Sequence, residues 1–177
     1  MDPRVGPVYR VGLLTLSDAG AAGLREDRSG DALRARLEAE PGHPYAIVVR
    51  AILADDLAGI AAQLASWSDD LGLDLVLTTG GTGLGPRDVT PQATRAILAF
   101  EVPGMAEAMR AAGLLRTPMA MLSRALVGVR GRTLIANLPG SPKGAQESLE
   151  ALLPALPHAL AVLRGSGAEH PQHGQER

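Results

Sequence analysis

The chain contains no cysteine, and aromatic residues make up only 2% of its 177 positions. The first absence excludes disulfide scaffolds, thiolate zinc sites, iron–sulfur clusters and thiol nucleophiles. The second means that a core must be assembled from Leu, Val, Ile and Ala, and Trp67 is expected to belong to it. Lysine occurs once, at Lys143, beside 16 arginines, and the net charge is only −2 with a pI near 6.1. That balance supplies neither the basic face nor the stacking rings of a nucleic-acid binder, so no nucleic-acid partner is expected. No apolar run approaches the roughly 18 residues of a membrane span, so no membrane association is expected either. Met1–Arg10 carries prolines and charges and no apolar run of signal-peptide length, and the expected location is cytoplasmic. The four histidines, His43, His158, His170 and His173, follow no metal-ligand spacing, and no Ser-His-Asp arrangement is arguable.

What remains is a length and a pattern. With 46% hydrophobic residues, a chain of this size buries roughly 70% of its unfolded surface and forms one domain without staples. Short apolar runs alternate with amphipathic segments, which predicts an α/β three-layer sandwich with a mainly parallel sheet and helices on both faces. Strands are expected at Arg10–Leu16, Tyr45–Leu53, Leu73–Thr79 and Arg132–Leu138. Helices are expected over Gly30–Glu40 with Ser29 as N-cap, from Asp55-Asp56 to Leu71, and from Thr90-Pro91 to near Phe100 with Thr90 as N-cap. Two shorter helical pieces follow, Pro103–Ala112 and Pro118–Leu126. A last helix, Gly144–Leu163, is bent or broken at Pro154 and Pro157. The expected domain is 10–165, flanked by a flexible N-terminus (1–9) and a disordered polar tail (166–177).

In an open α/β sheet a ligand enters at the carboxyl ends of the strands, which here means the loops after residues 16, 53, 78 and 138. The loop Thr79-Gly80-Gly81-Thr82-Gly83 lies there, and its glycines let backbone N–H groups crowd an anion. It fits neither the dinucleotide fingerprint nor the P-loop, because Pro86 and Arg87 stand where those motifs need Gly or Lys-Ser/Thr. It therefore reads either as an anion cradle or as a plain turn. Asp55 and Asp88 each follow a strand by a few residues and either converge as hard ligands for Mg²⁺ carried by substrate phosphates or serve as helix caps. Asn137, Pro139, Gly140 and Ser141 form a polar turn at another strand end ahead of a helix start, and Ser17-Asp18 and Ser123-Arg124 are weaker polar candidates.

Taken in order, the segments are Leu14-Thr15-Leu16-Ser17-Asp18, Asp27-Arg28-Ser29-Gly30, Thr79-Gly80-Gly81-Thr82-Gly83 and Arg87-Asp88-Val89-Thr90-Pro91. They continue with Pro103-Gly104, Met121-Leu122-Ser123-Arg124, Gly131 and Asn137-Leu138-Pro139-Gly140. Over residues 10 to 165 the chain resembles the molybdopterin adenylyltransferase family, of the MogA/MoaB type and close to the G domain of gephyrin. The resemblance implies molybdenum cofactor biosynthesis. The terminal phosphate of molybdopterin attacks the α-phosphorus of ATP in a Mg²⁺-dependent step, giving adenylylated molybdopterin and pyrophosphate. It implies that Asp55 and Asp88 serve metal and nucleotide chemistry and that Thr79, Gly80, Gly81, Thr82 and Gly83 hold the nucleotide. Ser17, Asp18, Arg87, Ser123, Asn137, Pro139, Gly140 and Ser141 fall to the pterin and its phosphate. It also implies a homotrimer and hand-over of product to a molybdate insertase. Related G domains commonly carry Ser where this chain has Gly113, so one polar contact to the pterin is expected to be missing. The competing expectations are a MoaB-like module that binds molybdopterin with little turnover, and an oligomeric scaffold.

Overall fold

The computed structural model describes residues 8–165; the expected tail and most of the expected N-terminal segment lie outside them. Strand β1 is Tyr9–Leu16, followed by the short helix α1 (Asp18–Ala21), α2 (Arg28–Glu38), β2 (Tyr45–Leu53) and α3 (Leu57–Asp69). Next come β3 (Leu75–Thr79), α4 (Thr90–Arg95), β4 (Phe100–Glu101), α5 (Pro103–Leu114) and a 3₁₀ turn, Pro118–Leu122. The chain closes with β5 (Val127–Arg130), β6 (Thr133–Leu138), α6 (Pro142–Leu152) and α7 (Leu156–Leu163).

The sheet order is β2-β1-β3-β6-β5-β4. The first four strands are parallel, while β5 and β4 run antiparallel to their neighbours. Strand parity sorts the core into two layers. Val11, Leu13, Leu75, Leu77, Leu134, Ala136 and Leu138 face α2, α5, α6 and α7. Leu14, Leu16, Val76 and Ile135 face α3 and α4, where Ile60, Leu64 and Trp67 meet them. Each of these leucines is buried, which stabilises by about 1.5–3 kcal/mol per side chain. The expected three-layer α/β sandwich is therefore present, with helices on both faces.

Several local expectations are corrected. β1 starts at Tyr9, 3% exposed, so that residue belongs to the folded unit rather than to a flexible N-terminus. Helix α2 is capped by Asp27, whose carboxylate accepts the Gly30 N–H, and not by Ser29, which lies inside the helix. Helix α4 ends at Arg95 and has no side-chain cap; Thr90 is its first residue and is fully buried. The segment expected to be helical over 118–126 gives only one 3₁₀ turn, and Val127 opens a strand that pairs with β6 across the tight turn at Gly131. The last helix starts at Pro142 behind the N-cap Ser141. It breaks around Pro154 as expected, whereas Pro157 sits in the first turn of α7, where proline is tolerated. Among the described residues no helix is long and apolar enough to cross a membrane.

Candidate active site

The carboxyl ends of β1, β2, β3 and β6 converge on one edge of the sheet. There Gly80 and Gly81 adopt φ of +106° and +62°. A Cβ at Gly80 would overlap the Leu16 carbonyl, and one at Gly81 would overlap the Thr90 hydroxyl and press on Asp55 Oδ1 at 3.1 Å. Glycine is thus required both by the backbone and by the neighbours. The Gly80 N–H donates to Leu138 O (3.1 Å) and the Thr79 hydroxyl to Pro139 O (2.7 Å), which ties the glycine loop to the turn after β6. That turn is held in place from α2, because the Ser29 hydroxyl donates to Gly140 O at 2.6 Å.

Asp55 and Asp18 bracket each other across the ends of β2 and β1. The Asp55 N–H donates to Asp18 Oδ1 (3.0 Å) and the Asp18 N–H to Asp55 Oδ2 (3.3 Å). Asp55 Oδ1 is buried and has no hydrogen-bond partner, and neither has the Thr90 hydroxyl that lies beside Gly81. Burial first, and then the Asp18 charge, push the Asp55 carboxyl above the usual carboxylate range, with Asp88 adding to the shift. Arg87 donates to Asp18 at 2.8 and 3.1 Å, and this contact holds the Asp18 carboxyl below its ordinary value. Asp88 Oδ2 accepts the Gly85 N–H at 2.8 Å. The helix-capping role open to Asp55 falls instead to Asp56, whose carboxylate accepts the Gly59 N–H.

Two cavities flank the glycine loop. The larger, about 550 Å³, contains Ser17, Asp55, Thr79, Gly80, Gly81, Asp88 and Gly140 in its lining. The smaller, about 280 Å³, is walled by Met109, Met119 and Leu122 and carries Thr82, Gly83, Ser123 and Pro139 at its polar side. Ser141 lines both. Gly113 lines the smaller cavity, and a side chain there would press on Ala120 Cβ at 2.8 Å. Most of the expected site residues are therefore brought together. Asp18 and Arg87 stand on the exposed side of Asp55 without lining either cavity. Asn137 lines neither cavity: it is fully buried, its amide donates to the hydroxyls of Thr78 and Thr94 (3.0 and 2.9 Å), bracing β3, β6 and α4 behind the loop, and its Oδ1 has no partner.

Thr15, Arg25, Asp27, Arg28 and Ser29, which sequence reasoning does not single out for the site, also line the larger cavity. Asp27 accepts from Thr15 Oγ1 (2.8 Å), Gly30 N (2.9 Å) and Arg50 Nη2 (3.0 Å), which fixes the start of α2 at the cavity wall. The run Asp27-Arg28-Ser29-Gly30 is the available signal for them. No group of three or more His, Cys, Asp or Glu able to hold a metal occurs among the described residues. A metal caged by protein alone does not fit. A Mg²⁺ that arrives on phosphates and takes one or two carboxylates does fit, since Asp55 keeps a buried oxygen without a partner.

A polar, glycine-floored cavity at the carboxyl edge of a parallel sheet, beside a more apolar one, defines an α/β domain with a binding crevice where such sheets take their ligands. Residues 12–158 match the family described as "Probable molybdopterin binding domain", and the chain belongs to that family. The molybdopterin adenylyltransferase of Helicobacter pylori (strain ATCC 700392 / 26695) is 40% identical over 156 residues, covering 88% of each chain. Gephyrin of Dictyostelium discoideum is 39% identical over 160 residues, which are 86% of this chain and 22% of gephyrin. A solved structure of the molybdopterin biosynthesis enzyme MoaB from Thermus thermophilus is 54% identical, with a TM-score of 0.84, and the match covers 92% of this chain and all of that one.

Proposed function

We propose that the chain is a molybdopterin adenylyltransferase of molybdenum cofactor biosynthesis, transferring AMP from ATP to the terminal phosphate of molybdopterin. The observation that carries this reading is the Asp55–Asp88 cavity, with one buried carboxylate oxygen left without a partner, opening beside an apolar cavity that shares Ser141. The names of relatives about 40% identical over most of the chain support the same activity.

In the reaction a phosphate oxygen of molybdopterin forms a bond to the α-phosphorus of ATP. The bond from that phosphorus to the bridging oxygen breaks, and pyrophosphate leaves with the electron pair. Two polyanions must meet, so the protein's task is positioning and neutralisation of charge, and no covalent nucleophile is required. Asp55 and Asp88 would hold Mg²⁺ bound to the phosphates, and that ion would add its positive charge to that of Arg25 and Arg28 in the cavity lining. The backbone N–H groups of Gly81–Gly83 and the start of α6 behind Ser141 donate to phosphate oxygens, while the Gly80 N–H stays on Leu138 O. The smaller cavity takes the ring system against Met109, Met119 and Leu122, with Ser123 and Pro139 at its edge. Arg87, exposed and tethered to Asp18, is free to swing toward charge developing on the leaving group. A homotrimer, a cytoplasmic location and onward transfer to a molybdate insertase complete the reading.

The test is an adenylylation assay with purified protein, molybdopterin, ATP and Mg²⁺, scoring both products, with Asp88→Asn alongside. The wild type is expected to form product and the variant to lose about 100-fold or more, as removal of one key electrostatic group does. Molybdopterin binding without product would make the chain a carrier instead.

A further inference from the structure

Arg124 is half-buried and does not line the larger cavity. Its backbone N–H donates to Thr82 O (3.0 Å), its Nε to Gly83 O (2.6 Å) and its Nη2 to Asp88 O. One residue thus fastens both ends of the loop from Gly83 to Asp88 across 36 to 41 positions of sequence. No carboxylate pairs with its guanidinium among the described residues, so these carbonyls are its partners. Arg124 also follows Ser123 directly, at the end of the 3₁₀ turn that walls the smaller cavity. The loop it grips has Thr82 and Gly83 on the smaller cavity and Asp88 on the larger.

We infer that Arg124 is a positioning residue that couples the two cavities: a ring seated against Ser123 and Gly83 sets, through the guanidinium clamp, where Asp88 stands. This rests on the adenylyl-transfer reading for the identity of the two ligands. Its physical content is independent of the chemistry. The planar fork presents two separate nitrogens, Nε and Nη2, to two carbonyls in a fixed geometry, whereas an ammonium gathers its donors on one compact nitrogen, so Lys is not equivalent here. The backbone bond to Thr82 survives any side-chain substitution, so the variants keep the connection of this segment and lose only the fork.

The experiment compares wild type, Arg124→Lys and Arg124→Ala in three measurements. These are binding of a non-hydrolysable ATP analogue with Mg²⁺, with and without molybdopterin; turnover; and amide exchange at Gly85, whose N–H bonds Asp88 Oδ2. In the wild type molybdopterin is expected to tighten analogue binding about fivefold or more, within the usual span of coupling between sites. In both variants that enhancement disappears while binding of the analogue alone is retained. Turnover falls about 100-fold with KM nearly unchanged, as a displaced group produces, and Gly85 exchanges faster. Turnover and enhancement preserved in Arg124→Lys and Arg124→Ala would overturn the proposal. So would equal loss of every ligand together with a collapse in melting temperature, which would make the role structural. A wild type that forms no product would sink the functional reading alone, since the binding and exchange comparison would still decide the role of Arg124.

Discussion

Two aspartates at opposite edges of the same sheet meet opposite treatment. Asp74, just ahead of β3 at the amino edge, accepts two hydrogen bonds from Arg164 (2.6 Å each) and one from the Arg10 N–H (2.7 Å). Burial alone would raise its pKa, but these donors outweigh it and hold the carboxyl below its ordinary value. Arg164 also lies over the Tyr9 ring, 4.6 Å from its centroid. Asp55, at the carboxyl edge, is raised instead, by burial and by Asp18, and leaves an oxygen without a partner. The amino edge satisfies its charge within the chain and reads as scaffold. The carboxyl edge leaves its charge open, which is how a site that awaits a charged ligand differs from one built only for stability.

The largest effect that sharpens this contrast is on activity. Asp55→Asn is expected to lower turnover about 100-fold or more, as Asp88→Asn does. At the same time it should raise the melting temperature of the ligand-free protein at neutral pH. The sign follows from linkage: a carboxyl whose folded pKa is raised binds protons more readily when folded, so its ionised form destabilises the fold at neutral pH. The neutral amide removes that penalty, and its advantage over wild type should shrink as pH falls toward the ordinary value of 3.8. Thermal denaturation of both proteins from pH 7 downward checks this. A variant less stable than wild type at pH 7 would mean that the Asp55 charge is compensated after all.

At the other edge, Asp74→Asn is expected to leave turnover unchanged while destabilising by about 2 kcal/mol, the scale of hydrogen bonds to a charged group. For a chain of this length that lowers the melting temperature by about 4–8 °C. The pH dependence has the opposite sign to that of Asp55. Because the folded pKa of Asp74 is depressed, its contribution is complete above the ordinary 3.8 and is lost as pH falls below it. The gap between wild type and Asp74→Asn should therefore be constant at neutral pH and close in acid. Urea titrations at pH 7 and pH 3 measure it, and a gap that widens in acid would break the contrast.

How far the two edges are legible in advance depends on how local their signals are. β1, β3 and β6 are legible because each is a continuous apolar run, and the glycine loop because it follows one of them. β5 is not, since Val127-Gly128-Val129 is too short to show a period and its pairing with β6 is a tertiary fact. Asn137 reads toward the ligand from its place at a strand end. Its neighbours Ala136 and Leu138 face the α2/α6 layer, however, and strand parity then sends Asn137 to the α4 side. Ser29 reads as the cap in place of Asp27, two residues away, because nothing local shows that Asp27 is also anchored by Thr15 and Arg50. The unpaired oxygen of Asp55 and the grip of Arg124 depend on contacts between distant segments and leave no local trace.

The smallest expected effect separates charge held for structure from charge held for chemistry on the carboxyl edge itself. The Arg87–Asp18 pair has both side chains more than half exposed (64% and 51%), and such a pair contributes little to stability. Arg87→Ala should therefore leave the melting temperature unchanged. If Arg87 meets charge on the leaving pyrophosphate, the same variant should lower kcat about tenfold, below the loss from a buried donor because solvent and Mg²⁺ screen it. The loss should persist at saturating Mg²⁺ and should not be matched by Asp18→Asn, which frees Arg87 without removing it. An unchanged rate at saturating Mg²⁺ would leave Arg87 as a tether for Asp18 alone, and charge neutralisation would rest on the metal held by Asp55 and Asp88.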